Sequence, residues 1–258
     1  MTAAAGLSEQ FAREGYLLLP GALPTELCEA FGSAVLDLFR RLGEAGRIRS
    51  EIGSLAGHLN IRMGEPGRAL LAEVEVAGIP ALVSELAGGP VALRQAVGNL
   101  NLPGSCMQDF HMDGLFANRL IITNICLTPT AAANGATELI PASDREELSY
   151  WRLTRDGWRK RAIGPALIPG DVLIRPSNLW HRGTPNRSKT ARPMAGFIWG
   201  PLAQGETAVP CTDLDGPFTL FANKYYGRFA RAKEFTATRL PWLDEALRLG
   251  QSFLRDRK

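Results

Sequence analysis

The chain has 258 residues, of which 45% are hydrophobic and 21% charged, as in an ordinary globular protein with room for one large domain. Its net charge of +3 is too small to indicate a nucleic-acid partner, and no lysine and arginine block carries interleaved aromatic residues. No apolar run approaches the roughly 18–20 residues of a membrane span, and the first residues lack the basic-then-apolar order of a signal peptide. We therefore expect no membrane span and a cytoplasmic location.

The first zone of the chain, residues 1–90, is predicted to be mainly helical. Between Leu27 and Phe39 the apolar residues recur at three- and four-residue steps, which is the helical period. Thr25 is the expected N-cap of this helix. Before it, residues 15–21 form a short apolar run bounded by glycine, which is typical of a strand.

The second zone, residues 91–202, consists of short apolar runs separated by turn signals such as Asn134-Gly135. This texture predicts a β-sandwich or barrel rather than alternating strands and helices. The third zone, residues 203–258, begins irregular and ends in an amphipathic helix, which we expect to pack on its own domain with a solvated basic face. We treat 1–258 as a single domain with a β core at 91–202 and a C-terminal extension from 203.

The cysteines are widely spaced and form no CxxC pair, which argues against a zinc knuckle or a disulfide framework. We expect buried, reduced thiols. The residues concerned are Cys28, Cys106, Cys126 and Cys211.

Two of the three histidines fall in the strand-rich zone and suggest a metal site. On a strand, residues two apart share a face, so His111 and Asp113 can present an imidazole and a carboxylate to one ion. A third ligand must come from elsewhere in the fold, and His181 is the available candidate. Two histidines and one carboxylate leave three positions open, which suits non-haem iron(II) enzymes that bind an organic cosubstrate and O₂.

Five motifs in order along the chain resemble the phytanoyl-CoA dioxygenase family. They are the opening run 11–21, the His111-Met112-Asp113 stretch, the hairpin 134–143 with Ala142 in place of a glycine, the approach from Gly170 to His181, and the pattern Asn186, Ser188, Arg192 that follows His181. Together these motifs are far more specific than any one of them.

The resemblance implies a mainly β fold with flanking helices, namely a double-stranded β-helix, the jelly-roll or cupin-like barrel, with iron at its open end. It also implies that Arg192 holds the distal carboxylate of 2-oxoglutarate. A guanidinium pairs well with a carboxylate, and Arg192 shares its strand face with apolar residues. Arg187 is the competing candidate, and an exposed arginine after a loop is the alternative reading of Arg192 itself.

Two positions depart from the family pattern. A serine often stands two residues after the distal histidine, where this chain has Gly183 followed by Thr184. Thr184 is therefore a candidate to supply the hydroxyl near the cosubstrate. A tryptophan often occupies the strand before the Asn-Gly turn, where this chain has Asn124, which is therefore another candidate for contacting the cosubstrate.

Three further residues have weaker claims on the site. Asn101 and Gln108 lie on the approach to His111 and are candidates for contacting the cosubstrate, although polar residues at a barrel mouth are often only solvated. His58 precedes the barrel, where a surface or loop-packing histidine is the favoured interpretation and a place at the substrate mouth the alternative.

The family resemblance implies a dioxygenase, an oxidoreductase that uses iron(II), 2-oxoglutarate and O₂ and releases succinate and CO₂. Because Asp113 is present, we expect hydroxylation of an unactivated C–H bond, with desaturation or cyclisation as variants, rather than halogenation. The expected substrate is a small molecule such as a secondary metabolite, an amino-acid derivative or an acyl compound. Arg119, Arg175 and Arg182 are candidates for attracting an acidic substrate, and a solvated basic surface is an equally good interpretation of them. A basic, aromatic segment at 150–161 is a candidate lid for such a substrate, with simple cover of the domain as the alternative.

Two alternatives remain open. A cupin-like metal enzyme would use the same ligands without 2-oxoglutarate, and a non-catalytic binding module would keep the motif without turnover. Neither the identity of the substrate nor the oligomeric state can be derived from the sequence. We expect substrate specificity to lie in the N-terminal helices, residues 143–164 and the tail.

Overall fold

The fold is that of a computed structural model, which describes residues 3–47, 56–203, 205–221 and 230–256. The helices are α1 (Ala3–Glu14), α2 (Thr25–Glu44), α3 (Gly67–Val76), α4 (Ile79–Ala87), α5 (Tyr150–Arg155), α6 (Ala230–Arg239) and α7 (Pro241–Asp256). The strands are β1 (Leu17–Leu19), β2 (His58–Arg62), β3 (Val91–Asn101), β4 (Ile121–Cys126), β5 (Thr137–Leu139), β6 (Val172–Pro176), β7 (His181–Gly183), β8 (Arg192–Pro201) and β9 (Thr219–Phe221). Among the described helices, none is both long and apolar enough to cross a membrane.

A large antiparallel sheet in the order β1-β6-β4-β8-β3-β2-β9 forms one wall of the barrel. The facing wall is smaller: β5 pairs with β7, and single bridges join His111 to His181 and Leu139 to Ile163. This arrangement is the jelly-roll fold that the resemblance implies. Strands β1 and β2 come from the N-terminal zone and β9 from the C-terminal zone. Backbone hydrogen bonds in the large sheet therefore join both zones directly to the β core.

The two faces of the large sheet have different roles. One face packs on the helices through buried side chains spaced at the helical period, such as Phe31 and Val35 of α2, and through Ile125 and Phe197 of the strands. The other face lines the interior of the barrel, where a smaller apolar cluster includes Leu173 and Leu179. Because β4 and β6 are covered on both sides, all their residues are buried, including the polar Thr123, Asn124 and Arg175.

Several local predictions need correction. Helix α2 begins at Thr25, so the N-cap is Pro24, and the Thr25 hydroxyl instead donates to the Pro169 carbonyl at 3.3 Å. Strand β2 lies in the zone predicted to be mainly helical, and β9 lies in the stretch predicted to be irregular.

Helix α7 packs on its own domain as predicted, but with the opposite face. Asp244 and Ser252 are buried and Arg248 is half-buried, whereas Leu247 and Leu254 are 52% and 63% exposed. The inward face is polar because it bonds to charged groups of the barrel mouth, including an Arg248–Asp109 ion pair of 2.8 Å.

All four cysteines are free, as predicted. Cys28 and Cys126 are fully buried, and Cys106 and Cys211 are partly buried.

Candidate metal centre

The backbone of the smaller wall brings the two candidate histidines side by side. His111 and His181 exchange a pair of backbone hydrogen bonds of 2.9 and 3.0 Å, and their ring centroids are 4.4 Å apart. Asp113 lies just beyond the bridged residue, and its backbone N–H donates to the Ser177 carbonyl at 2.8 Å. The segment carrying His111 and Asp113 is extended without being a regular strand. Its two-residue spacing nevertheless places both side chains at the same mouth of the barrel.

His111, Asp113 and His181 offer ligand atoms that all lie within 4.8 Å of one another. The Nε2 of His111 is 3.8 Å from Asp113 Oδ1, and the Nε2 of His181 is 3.3 Å from Asp113 Oδ2. Each ring donates its Nδ1–H to a backbone carbonyl two residues earlier, that of Asp109 at 2.8 Å and that of Leu179 at 2.9 Å. These bonds fix the ring orientation and leave the Nε2 lone pairs facing the carboxylate, as in metal-binding histidines.

The electrostatics of the cluster favour the ligating forms of His111 and Asp113. Burial, reinforced by His181, lowers the pKa of His111 to about 4, so the imidazole is neutral at physiological pH. Burial opposes ionisation of Asp113, but His181 and Arg175 outweigh it and hold the pKa of that carboxyl well below its usual range. Neutral imidazole and ionised carboxylate are the forms that bind a metal ion.

A buried arginine, Arg175 of β6, contacts the candidate carboxylate directly. Its Nη2 donates to Asp113 Oδ2 at 2.6 Å, and its Nε donates to Asn124 Oδ1 at 3.2 Å. From the sequence, Arg175 is predicted only to be one of several arginines that attract an acidic substrate. No local sequence pattern predicts its contact with Asp113, which joins β6 of the large sheet to the segment just after the His111–His181 bridge.

Arg192 lies deeper in the same barrel, at the start of β8, and is only 2% exposed. In the part of the chain that the structure describes, no residue accepts a hydrogen bond from its guanidinium, and its Nε is buried without a partner. Burial lowers the pKa of Arg192 to about 10. Arg187, the competing candidate, is exposed. A buried, unpartnered guanidinium is costly in an apolar setting and fits a carboxylate supplied by a ligand.

Two polar residues share the sheet face of Arg192. Strand register places Arg192 opposite Asn101 of β3, and Asn101 opposite His58 of β2, and directly paired side chains point to the same side. His58 therefore faces the interior, where burial lowers its pKa, and its ring bonds to the Cys106 carbonyl at 2.9 Å. Of the favoured interpretations, a surface histidine is wrong, whereas a histidine that packs against a loop agrees with the bond to Cys106. The polar-apolar alternation of residues 58–62 is the signal that predicts this strand.

Asn101 connects the Arg192 end of the barrel to the Asn-Gly turn. Its Nδ2 donates to the carbonyls of Thr184 at 3.0 Å and Gly135 at 3.4 Å, while its buried Oδ1 has no partner among the described residues. A Cβ at Gly135, whose φ is +85°, would lie 2.1 Å from the Asn101 amide. The turn therefore requires glycine both for its backbone conformation and for this close contact.

Gln108 occupies the place beside the distal histidine where the family often has a serine side chain. Its Oε1 accepts a hydrogen bond from the Gly183 backbone N–H at 2.7 Å, and a Cβ at Gly183 would lie 2.8 Å from that oxygen. Thr184, the other candidate for the hydroxyl, is buried and donates to the Ala136 carbonyl at 2.8 Å. Gln108 and Gly183 are thus complementary in this chain.

The segment predicted to be a lid packs around Phe110 and Trp180, whose side chains alternate with those of His111 and His181, so its role as a lid stays a prediction. Helix α5 and a short 3-10 helix, Trp158–Arg161, pack near α7, where Glu245 accepts hydrogen bonds from Tyr150 and Arg159. Together with residues 107–110 and Arg182 these elements line a cavity of about 200 Å³. A larger cavity of about 590 Å³ lies between α1 and the loop after Asp113. Arg119 lines the larger cavity and is paired with Asp144, so it is not gathered with the metal cluster.

Comparison with known proteins agrees with this fold. The family model described as phytanoyl-CoA dioxygenase matches residues 11–194. The non-heme alpha ketoglutarate dependent epimerase SnoN from nogalamycin biosynthesis is 20% identical with a TM-score of 0.59, over 77% of this chain and 83% of that one. AviO1 from Streptomyces viridochromogenes Tue57 is 19% identical with a TM-score of 0.64, over 82% and 99%. HygX from Streptomyces hygroscopicus, solved with nickel and 2-oxoglutarate bound, is 15% identical with a TM-score of 0.57, over 78% and 87%.

Proposed function

Because the chain belongs to the phytanoyl-CoA dioxygenase family of 2-oxoglutarate-dependent enzymes, we propose that it is an iron(II) oxygenase that hydroxylates an unactivated C–H bond of a small molecule. One observation carries the proposal: the ligand atoms of His111, Asp113 and His181 converge within 4.8 Å at the mouth of a barrel whose interior holds the unpartnered guanidinium of Arg192. The donor set, two imidazoles and one carboxylate, is the one that non-haem iron(II) oxygenases use.

Each group of the proposed site has a defined task. His111, Asp113 and His181 would hold the iron, and Arg192 would hold the distal carboxylate of 2-oxoglutarate through paired N–H donors. When bound, iron and 2-oxoglutarate together with O₂ supply the oxidising power for C–H hydroxylation, with succinate and CO₂ as co-products. The protein fixes the imidazole orientations through the Nδ1–H bonds and surrounds Arg192 with buried side chains that exclude water.

Asn101, Thr184, Gln108 and Asn124 are proposed to support the binding of 2-oxoglutarate. Their contacts suggest how each residue would do so. Asn101 and Thr184 hold the wall beside Arg192, since the Asn101 amide donates to the Thr184 carbonyl. Gln108 closes the space beside Gly183. Asn124 accepts from Arg175 and thereby orients that side chain.

The charges inside the barrel favour an anionic substrate. Arg175 and Arg192 are 5% and 2% exposed, and only one carboxylate, that of Asp113, contacts them in the described structure. The charges of iron(II) and of the 2-oxoglutarate dianion cancel. The two arginines and Asp113 then leave the loaded site with one excess positive charge. The buried Nη1 of Arg175 has no acceptor among the described residues and is a ready donor for a substrate carboxylate.

The carboxylate ligand and the solved structures of similar fold bear on the type of reaction. Asp113 fills the carboxylate position, which favours hydroxylation over halogenation. Solved structures of similar fold include an epimerase and a carbocyclase, so stereoinversion and ring closure are the reactions to test against hydroxylation. The cupin-like and non-catalytic alternatives predict no succinate. A cytoplasmic location likewise stays a prediction.

The test is turnover with iron(II), 2-oxoglutarate and O₂ against a panel of small carboxylic acids, measuring succinate and product mass. Hydroxylation adds one oxygen atom, ring closure or desaturation removes two hydrogens, and epimerisation leaves the mass unchanged. Alanine at His111, Asp113 or His181 should abolish succinate formation, whereas Arg187→Met, an exposed control, should retain it. Full activity in any of the three alanine variants would exclude this metal site.

A further inference from the structure

Arg175 does more than add charge to the barrel, because two of its nitrogens join two side chains. The residue is opposite Ile122 in the β4–β6 pair and only 5% exposed. One nitrogen, Nη2, reaches Asp113 Oδ2 at 2.6 Å, and another, Nε, reaches Asn124 Oδ1 at 3.2 Å. A guanidinium held at two points in a buried site has little freedom to turn.

The contact with Arg175 distinguishes the two oxygens of Asp113. Oδ2 receives a short charge-assisted hydrogen bond and is 3.3 Å from the Nε2 of His181, whereas Oδ1 has no hydrogen bond from the described residues and is 3.8 Å from the Nε2 of His111. Both oxygens therefore face an imidazole, but only Oδ1 is free of a hydrogen bond, and Oδ1 is the oxygen with its full capacity for a metal ion. That matters at a site with two imidazoles, since a carboxylate binding through both oxygens would occupy a position that 2-oxoglutarate or O₂ needs.

Asn124 supports this arrangement from the neighbouring strand. It is opposite Gly196 of β8, and a Cβ at that glycine would lie 3.2 Å from the Asn124 amide nitrogen. The small residue at 196 thus leaves the Asn124 side chain the space it occupies. Asn124, Arg175 and Asp113 form a continuous chain of hydrogen bonds from the interior to the mouth of the barrel.

We propose that Arg175, oriented by Asn124, is a positioning residue that makes Asp113 a single-oxygen metal ligand and so keeps the remaining coordination positions open. The inference rests on the proposed function and deepens it. Partners of metal-ligating groups typically affect metal affinity by about 10–100-fold when removed.

The experiment uses cobalt(II), whose visible absorption reports its coordination number, added to the full-length protein without 2-oxoglutarate. We expect Arg175→Met to change the cobalt spectrum and to weaken cobalt binding by about 10-fold or more. Asn124→Ala should change the spectrum and the cobalt affinity in the same direction but by less. Arg175→Lys keeps the charge but cannot bond to both Asp113 and Asn124, so its spectrum and affinity should lie between those of the wild type and Arg175→Met.

Arg119→Met is the matched control, since Arg119 also forms a 2.8 Å ion pair with an aspartate, Asp144, away from the metal cluster. It should bind cobalt as the wild type does. If Arg175→Met fails to fold, as judged by circular dichroism, Asn124→Ala and Arg175→Lys decide the question. Wild-type spectra and affinity in the variants would overturn the positioning role and leave the proposed function standing. Failure of the wild-type protein to bind cobalt or iron would instead overturn the proposed function.

Discussion

Replacing Arg192 by methionine should have opposite effects on the stability of the ligand-free protein and on its response to 2-oxoglutarate. The guanidinium is 2% exposed, its Nε lacks a partner, and burial lowers its pKa from the ordinary 12.5 to about 10. At 1.36 kcal/mol per pKa unit, burial disfavours the charged form by about 3 kcal/mol. Such a cost in the ligand-free protein is consistent with a ligand that supplies the counter-charge.

The expected magnitude follows from this cost. Replacing a buried, unpaired charge by an apolar side chain of similar length should raise the free energy of unfolding of the ligand-free protein by about 1–3 kcal/mol. For a chain of this size, that corresponds to a rise in Tm of roughly 2–10 °C. The wild-type protein with metal should gain about 2.7 kcal/mol from 2-oxoglutarate at a hundred times its Kd, and the variant should gain almost none.

The assay is thermal unfolding followed by circular dichroism, without oxygen, with and without metal and 2-oxoglutarate. Arg187→Met, an exposed arginine five residues earlier, should change neither quantity. An Arg192→Met protein that is less stable than the wild type and still gains the full increment from 2-oxoglutarate would refute the reasoning.

Three further predictions concern single positions. Ala142 has a φ of 60°, a left-handed conformation that costs alanine about 1–2 kcal/mol. After the greater backbone entropy of glycine in the unfolded chain is subtracted, Ala142→Gly should raise the free energy of unfolding by about 0.5–1 kcal/mol and so raise the urea midpoint. A lower midpoint would contradict this prediction. Gly183→Ser would place a Cβ 2.8 Å from Gln108 Oε1 and 3.1 Å from His58 Cε1, so it should lower the free energy of unfolding by about 1–3 kcal/mol. Adding Gln108→Ala should restore part of this loss. If the effects of the two substitutions simply add in the double variant, the steric explanation is wrong. Burial lowers the pKa of His58, so the unfolded chain binds the extra proton first and stability falls as the pH drops below about 6.5. His58→Asn should therefore lose less stability than the wild type between about pH 7.5 and 5.5 in parallel urea titrations, and equal losses would exclude this contribution.

The sequence predicts those parts of the site that depend on local spacing. The two-residue step from His111 to Asp113 and the apolar face shared with Arg192 are properties of neighbouring residues on one segment. The contact between Arg175 and Asp113 is different, because it joins β6 of the large sheet to the segment just after the His111–His181 bridge. No local pattern contains that information.

Contacts between distant segments explain two other differences between the sequence prediction and the structure, one beside Gly183 and one in helix α7. Gln108 fills the space beside Gly183 from a separate segment, so a missing serine does not leave a gap. Helix α7 has an amphipathic pattern, but its polar face is the buried one because charged groups at the barrel mouth bind Arg248 and Glu245. Amphipathicity shows that a helix has two faces, and the partner surface decides which one is buried.

In the function that we propose, His111, Asp113 and His181 would bind iron(II), and 2-oxoglutarate would bind to the iron with Arg192 at its distal carboxylate. The most direct measurement is the visible absorption of the metal-free protein after anaerobic addition of iron(II) and 2-oxoglutarate. We predict a weak metal-to-ligand charge-transfer band that is absent in His181→Ala and requires far more 2-oxoglutarate in Arg192→Met. Bound iron without any such band, or a band that survives in His181→Ala, would contradict the account.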